Sequence, residues 1–201
     1  MRRKEGKLCI VLGTLLLLAA LCLLAYNRWD DWRAGQTVAE IQEALEEAEE
    51  DGGLSAVDET GGAENGEMAT IEIEGYAYIG TLSIPRYGLE LPVMAKWSYP
   101  GLKIAPGRYS GSVRMDDMVI CGHNYDRHFG NLKYLEAGDP VTFTDVDGNV
   151  FSYRVEEVIT LQPADVEEMV NQTETDWDLT LFTCTLGGQA RVTVRCSRAE
   201  E

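Results

Sequence analysis

Three residues of the types that perform acyl transfer lie where strand-like runs of the sequence begin or end. Cys184 closes the run Leu179–Cys184, Arg191 opens another run seven residues later, and His123 follows the run Met118–Cys121 and one glycine. A thiolate can attack a carbonyl carbon, a histidine can move protons, and an arginine offers fixed positive charge to a developing oxyanion. The three residue types together predict a cysteine acyl-transfer site.

The alternation of side chains along a strand refines this prediction. Thr180, Phe182 and Cys184 are spaced to share one face of their strand. A tight antiparallel pair would bring Arg191 near Cys184 at one rim of a sheet. An arginine that opens an apolar strand is otherwise most often a solvated edge residue, so the pattern alone leaves both interpretations open.

The remaining cysteines favour packing roles. Cys9 and Cys22 lie in an apolar N-terminal stretch, which leaves three cysteines for the rest of the chain. An odd number leaves at least one thiol without a disulfide partner. Cys196 alternates with valines and is predicted to lie in the core. Cys121 is predicted to be a small buried residue, and a redox-sensitive disulfide with Cys184 is the alternative.

Metal binding is a weaker alternative at two places. Four residues of ligand types cluster near the candidate histidine: Cys121, His123, Asp126 and His128. Zinc sites usually show tighter, repeated ligand spacing, which disfavours a metal here. Four acids could form a calcium site: Asp116, Asp117, Glu167 and Glu168. Surface solvation explains these acids more simply. We therefore predict no cofactor, with calcium as the alternative.

The N-terminal segment is predicted to hold the protein in a membrane. Leu8–Asn27 comprises twenty residues without a charge, and four basic residues precede it. Such a helix is about 30 Å long, and the preceding positive charge favours a cytoplasmic N-terminus. We expect a basic tail over residues 1–7, a single transmembrane anchor over 8–27 and an extracellular remainder. A cleaved signal peptide is disfavoured because Leu24–Trp29 offers no small-residue cleavage site.

The charge distribution limits the partners and predicts a tether. The net charge is −17, and residues 34–75 contain thirteen acids and no base. Nucleic acid is thereby excluded as a partner, since phosphate binding requires clustered Lys and Arg. Thr37 resembles a helix cap, and Val38, Ile41 and Leu45 follow at helical spacing. We expect residues 28–75 to form an extracellular stalk and an acidic flexible linker.

From residue 76 onward the sequence has the pattern of short strands and turns that is typical of a β domain. Short apolar runs alternate with turn residues, such as Asp145–Asn149 between two strand-like runs. Many short strands with turn signals between them predict an all-β barrel or sandwich over residues 76–201. Two short helices are expected, near Phe129–Leu135 and near Ala164–Val170.

The ordered motifs resemble those of the sortases, a family of membrane-anchored cysteine transpeptidases. Thr180–Cys184 is similar to the family's Thr-Leu-x-Thr-Cys signature at every fixed position, and Gly122–Asn124 resembles the segment with the catalytic histidine. Arg191 opens an Arg-Val-Thr-Val run that resembles the strand with the active-site arginine. Tyr78–Pro85 resembles the opening strand, and the resemblance covers roughly residues 76–201.

The resemblance implies a closed β-barrel of about eight strands with two or so short helices. It also implies a ping-pong reaction on secreted proteins with a C-terminal sorting motif of the Leu-Pro-x-Thr-Gly type. Cys184 would attack the threonine carbonyl, His123 would protonate the leaving amine, and Arg191 would hold the substrate or the oxyanion. Thr183, and with less support Thr180, would bind substrate. An amine on a cell-wall precursor or on another protein would accept the acyl group.

Some features limit the resemblance and keep alternatives open. His123 and Cys184 are 61 residues apart, which leaves no room for the long helical insertion of one sortase class. A non-catalytic, membrane-tethered binding or scaffold domain of sortase fold is the alternative of a different class. A papain-like hydrolase is disfavoured, because such enzymes usually place the cysteine before the histidine in the sequence.

Overall fold

A computed structural model describes residues 2–50, 66–170 and 177–199. The chain divides into two compact units, Met1–Arg33 and Ala34–Glu201. A single helix, α1, runs over Arg2–Glu50 and so contributes to both units. Its stretch Gly6–Ala48 is the one candidate membrane span among the described residues, and its most apolar window has a mean hydropathy of 2.9. By length and composition α1 can cross a bilayer.

The C-terminal part of α1 differs from the predicted separate helix beginning at Thr37. The residues before Thr37 contain no proline, and the only glycine among residues 28–36 is Gly35, so the sequence has no strong helix stop there. Ala34, Val38, Ile41 and Leu45 recur at helical spacing and are all buried. Because this apolar stripe packs inside the unit Ala34–Glu201, the segment belongs to the folded domain and does not form a free stalk.

Only the last part of the predicted linker, residues 66–75, is described by the structure. Residues 51–65 lie outside the described residues. Beyond them Met68 is buried in the main hydrophobic core, and β1 spans Ile71–Ile73. The compact unit thus begins at Ala34, well before residue 76.

The described part of the domain is built on nine strands in one sheet. They are β1 Ile71–Ile73, β2 Tyr76–Ile84, β3 Leu89–Met94, β4 Gly107–Ser110, β5 Met118–Gly122, β6 Pro140–Asp145, β7 Val150–Leu161, β8 Leu179–Cys184 and β9 Arg191–Arg198. The strand order is β1-β2-β3-β4-β5-β8-β9-β7-β6, and β6 also pairs with β2. This last pairing closes β2 to β9 into an eight-stranded barrel, which confirms the predicted fold class.

One glycine permits that closure. Gly80 has φ 146°, and a Cβ there would lie 2.0 Å from the carbonyl oxygen of Thr144 on β6. The register of β2 shifts between Tyr78 and Gly80, next to the point where β2 stops pairing with β1 and begins pairing with β6. Any side chain at this position would therefore force the two strands apart.

Helical turns connect the strands. Three are 3₁₀ turns, at Pro85–Tyr87, Gly101–Lys103 and Leu132–Tyr134. The fourth is the short α2, Val166–Met169, in the β7–β8 connection. The last two lie inside the segments for which helices were predicted. Val192, Val194 and Cys196 point into the barrel core, as their alternation in the sequence predicts.

Candidate active site

Strand register places the three predicted catalytic residues side by side. β5 and β8 are parallel, and their last registered pair is Gly122 with Thr183, the residues directly before His123 and Cys184. β8 and β9 are antiparallel, and Cys184 is registered directly with Arg191. Neighbouring strands lie about 4.8 Å apart. Cys184 therefore pairs with Arg191 on one side, and His123 directly follows the strand on its other side. We call these three residues the row.

Cys184 differs from the other two cysteines of the domain in its exposure. It is exposed at the end of β8, whereas Cys121 and Cys196 are buried. Burial, opposed by its backbone contact and reinforced by nearby Cys184, raises the pKa of Cys121 to about 12. Burial also raises the pKa of Cys196. Because thiolates are the reactive form, Cys184 is the domain thiol best placed for nucleophilic attack.

The alternative disulfide between Cys121 and Cys184 does not fit the sheet. Cys121 is registered with Phe182, two residues before Cys184 on the neighbouring strand. This diagonal separates the two Cα atoms by roughly 8 Å in a regular sheet, whereas a disulfide requires less than about 7 Å. Both thiols are free, and Cys121 Sγ contacts the Gly107 carbonyl oxygen at 3.5 Å.

His123 has a polar neighbour suited to both protonation states of its ring. The backbone N–H of Asn124 lies 3.2 Å from Nδ1, and the Asn124 side-chain Oδ1 lies at the same distance. The N–H can donate to an unprotonated Nδ1, and Oδ1 can accept from a protonated one. The tautomer decides which bond forms. A proton-transfer residue that changes charge during turnover would therefore keep a partner at Nδ1.

A hydrogen bond and a closely packed glycine hold the ends of β5 and β8 next to the candidate site. The buried Thr183 hydroxyl donates to the Gly122 carbonyl oxygen at 2.9 Å, which joins β8 to β5 just before Cys184 and His123. A Cβ on Gly122 would lie 2.6 Å from the ring of Phe129. The small residue lets the Phe129 ring pack against the strand that leads into His123.

Arg191 is oriented by the short loop that joins β8 to β9. Its Nη1 donates to the carbonyl oxygens of Gly188 and Ala190, both at 3.1 Å. Thr185 and Ala190 close the loop through two further hydrogen bonds, Thr185 N to Ala190 O at 2.9 Å and Ala190 N to Thr185 Oγ1 at 3.0 Å. Backbone carbonyl groups of this loop therefore hold the guanidinium of Arg191 in position.

A cleft of about 220 Å³ opens beside Cys184. Thr183, Cys184 and Arg191 line it together with mostly apolar and aromatic residues, whereas His123 is not a lining residue, although the preceding Gly122 is. Its walls include Trp97, Tyr99, Leu102, Tyr109, Pro163, Val166, Met169 and Phe182. Such a mixture of apolar walls and a few polar groups is typical of ligand sites.

An aromatic series forms one wall of the cleft. Trp97 stacks on Tyr109 with ring centroids 5.9 Å apart, and Tyr109 meets Phe182 edge-on at 5.4 Å. Phe182 lies two residues before Cys184, so the series ends beside the candidate nucleophile. The sequence analysis did not select Trp97 or Tyr109, because their positions are far from the motif in sequence and only the strand order brings them together.

Thr180 has a different environment from Thr183. It is buried, and its hydroxyl accepts a hydrogen bond from Trp177 Nε1 at 3.1 Å. Among the described residues it does not line the cleft. Asn124 and Tyr125 are two further residues of interest that the sequence analysis left without a role, although both adjoin the predicted histidine.

The candidate metal ligands that the structure describes have other surroundings. In the described ranges, no group of three or more His, Cys, Asp or Glu side chains is arranged to hold a metal ion. Asp116 pairs with Arg198, and Asp117 Oδ1 accepts from the Ser112 backbone N–H. Glu167 and Glu168 lie in the first turn of α2.

The fold and the row of side chains define a β-barrel protein with a thiol site at its rim. The sortase domain model matches residues 82–199, more than half of the chain, and the chain therefore belongs to the sortase family. Membership supports cysteine transpeptidase activity in general, and the apolar N-terminal helix agrees with the membrane association of the family. No curated protein matches the sequence.

Solved sortase structures share the fold. Sortase C1 from Streptococcus suis is 25% identical, with a TM-score of 0.55 over 62% of this chain and 74% of that one. Sortase C from Clostridium perfringens SM101 is 20% identical, with a TM-score of 0.54 over 83% and 91%. A lid mutant of sortase A from Corynebacterium diphtheriae is 21% identical, with a TM-score of 0.56 over 81% and 96%. The last two similarities concern the fold alone.

Proposed function

We propose that this protein is a sortase-type transpeptidase that cleaves a C-terminal sorting motif, of the Leu-Pro-x-Thr-Gly type, in secreted proteins. The observation that carries the proposal is the row of His123, Cys184 and Arg191 on adjacent strands, with Cys184 exposed at the cleft. The aromatic and apolar walls of the cleft suit a short, mostly apolar peptide segment.

In the first half-reaction the Cys184 thiolate attacks the threonine carbonyl carbon of the motif. The carbonyl electron pair moves to oxygen, and Arg191 stabilises the resulting oxyanion. When the tetrahedral intermediate collapses, the C–N bond breaks and His123 delivers a proton to the leaving amine. The products are a thioester on Cys184 and the released C-terminal peptide.

In the second half-reaction an amine attacks the thioester. His123, now neutral, takes a proton from the attacking amine, and the C–S bond breaks to regenerate the thiolate. The acyl group is then joined to the amine through a new amide bond. The acceptor in this proposal is an amine on a cell-wall precursor or on another protein.

The proposed location is supported by α1 and by the charge that precedes its apolar stretch. Residues 8–27 would anchor the chain in the bilayer as a single pass, with the basic residues 1–7 in the cytoplasm. The barrel would then lie on the outer side, where secreted substrates and cell-wall amines are found. No metal or other cofactor takes part in the proposed steps.

The test is intact mass spectrometry of the full chain in detergent, incubated with a pool of peptides that carry different sorting motifs. Wild type is expected to gain the mass of the N-terminal part of one peptide, and the mass identifies the cleaved bond. Cys184→Ala is expected to gain nothing while it keeps the wild-type unfolding midpoint. Cys121→Ala is the matched control and is expected to form the adduct.

Two outcomes would contradict the proposal. An adduct on Cys184→Ala would remove Cys184 as the nucleophile. Absence of any adduct on wild type, with Cys184 shown to be reduced and alkylated by iodoacetamide, would favour the non-catalytic binding or scaffold domain. In that case, peptide binding without cleavage would be the activity to measure.

A further inference from the structure

The first part of the β5–β6 connection, residues 123–131, is a compact turn with the candidate histidine at its start. The Phe129 N–H donates to the His123 carbonyl oxygen at 3.1 Å. The N–H groups of His128 and Gly130 both donate to the Tyr125 carbonyl oxygen, at 3.0 and 2.8 Å. The Asn131 side chain closes the turn on the Asp126 carbonyl oxygen at 3.1 Å. The backbone around His123 is therefore well defined by its own hydrogen bonds.

Tyr125 stacks on the ring of His123. The two ring centroids are 4.4 Å apart, and the planes differ by only 9°. Aromatic pairs usually have centroids 4.5–7 Å apart, so this contact lies at the close end of the range. A nearly parallel stack at this distance covers part of one face of the imidazole, and the ring cannot tilt toward that face unless Tyr125 moves.

The ring of His128 packs against the ring of Tyr125. Its ring meets the Tyr125 ring edge-on, with centroids 5.4 Å apart and a 74° angle between the planes. His128 is completely buried, and neither of its ring nitrogens makes a hydrogen bond of normal geometry to a described residue. Burial, helped by the charge of His123 and opposed by the backbone of Ala34, lowers the pKa of His128 to about 4. At neutral pH it is an uncharged ring that fills space.

The C-terminal part of α1 lies against the same turn. A Cβ on Gly35 would lie 3.0 Å from Arg127 Cγ, so the aliphatic part of Arg127 rests on the helix where a side chain is missing. Ala34, one residue earlier, is the helix position whose backbone affects His128. The rings of His123, Tyr125 and His128 thus connect the candidate site to a packed helix.

We propose that Tyr125 is a positioning residue for acyl transfer, because its ring holds the His123 imidazole beside Cys184 while His128 holds Tyr125 in place. The proposal rests on the proposed function, since Tyr125 acts only through His123. Proton transfer requires the two heavy atoms to be about 2.6–3.2 Å apart. A ring that can tilt away from Cys184 satisfies this condition for a smaller fraction of the time.

The expected defect is in the chemical steps and not in peptide binding. Tyr125 does not line the cleft among the described residues, whose aromatic wall contains Trp97, Tyr109 and Phe182. Removal of the Tyr125 ring should therefore lower kcat and leave KM within about twofold of wild type. A misplaced catalytic group can cost up to roughly 100-fold in rate, and we expect a decrease of roughly 10- to 100-fold for Tyr125→Ala.

The experiment is steady-state transpeptidation by the full chain in detergent, with the peptide identified by mass spectrometry and a small amine as acceptor. Tyr125→Phe keeps the flat ring and should have a kcat within about twofold of wild type. Tyr125→Leu fills the space without a flat ring and should resemble Tyr125→Ala. The leucine variant also serves as the test if the alanine variant does not fold, and circular dichroism melting reports folding for each variant.

His128 provides a second matched pair. His128→Phe keeps a ring beneath Tyr125 and should preserve kcat, whereas His128→Ala should lower it with little change in KM. Equal kcat for wild type and Tyr125→Leu, or a loss in Tyr125→Phe as large as in Tyr125→Leu, would overturn the positioning role. Absence of turnover and of thioester in wild type would instead overturn the proposed function, so the two failures are distinguishable.

Discussion

The two histidines of this chain lie five residues apart in one turn, yet they occupy opposite environments. His123 is half-buried at the end of β5, beside Asn124 and level with the exposed Cys184. His128 is fully buried, without a hydrogen bond of normal geometry to a described residue. One histidine is therefore placed at the barrel rim, where it can act on a substrate, whereas the other, five residues further along the chain, fills space in the interior.

The largest expected effect tests the rim side of this comparison. His123→Ala should reduce transpeptidation by roughly 10²–10⁴-fold, the usual contribution of a positioned proton-transfer group. The unfolding midpoint should stay near that of wild type, because His123 is not part of the buried core. The measurement pairs initial rates with calorimetric melting. A variant that retains most of its activity would remove His123 from the proposed mechanism.

The second prediction compares two arginines on the same face of β9. Arg191→Ala should lower kcat/KM by roughly 10²–10³-fold, as expected for loss of an oxyanion-type contact. Arg195 bonds to Glu157 and to the Glu168 carbonyl oxygen and lies over the Trp177 ring, so Arg195→Ala should affect stability more than rate. A larger loss of rate in Arg195→Ala would transfer the catalytic role to Arg195.

The third prediction concerns the buried side of the turn and depends on pH. The pKa of His128 is about 4 in the folded protein and about 6.5 in an unfolded chain. The unfolded state therefore binds more protons between these values, and stability falls as pH decreases from about 6.5 to about 4. His128→Phe should remove up to about 3 kcal/mol of this pH dependence. Urea unfolding of the full chain in detergent at pH 7 and pH 4.5 measures the free energy of unfolding of wild type and of His128→Phe. If the difference between the two pH values is the same in both proteins, the prediction is wrong.

The smallest expected effect comes from the hydrogen bond that joins β8 to β5 next to the candidate site. Thr183→Val removes the hydroxyl that donates to the Gly122 carbonyl oxygen at 2.9 Å, and should lower the free energy of unfolding by about 1–2 kcal/mol. Because this bond aligns β8 with β5, the rate should fall as well. Thr183→Ser keeps the hydroxyl and is the control. If valine and serine give equal rates, the bond does not align the site.

Much of this architecture could be predicted from the sequence. Alternation assigned Val192, Val194 and Cys196 to the core, and turn residues marked the strands of a β domain. These signals depend only on residues that are close in the sequence, and so they can be interpreted without knowledge of the fold. The row of His123, Cys184 and Arg191 required more, because only the motif resemblance joined residues that are 61 positions apart.

The features that escaped prediction depend on tertiary packing. The sequence shows the apolar stripe of Val38, Ile41 and Leu45 but not the buried residues of the β domain that pack against it, and it therefore suggests a stalk. The stack of Tyr125 on His123 depends on a turn whose hydrogen bonds give no sequence signal. Short-range patterns show which face of an element is apolar, and only the closed barrel shows what covers it.

The parallel pairing of β5 with β8 has a consequence for how the protein folds. Parallel neighbours need a long crossover, and here β6 and β7 lie between the two strands in the sequence. Contacts between such distant residues form slowly, because loop closure costs entropy before the contacts stabilise the chain. We therefore expect the candidate thiol and histidine to come together late in folding. A partly folded chain would then carry Cys184 without the candidate proton donor, and we expect its reactivity to develop late in folding.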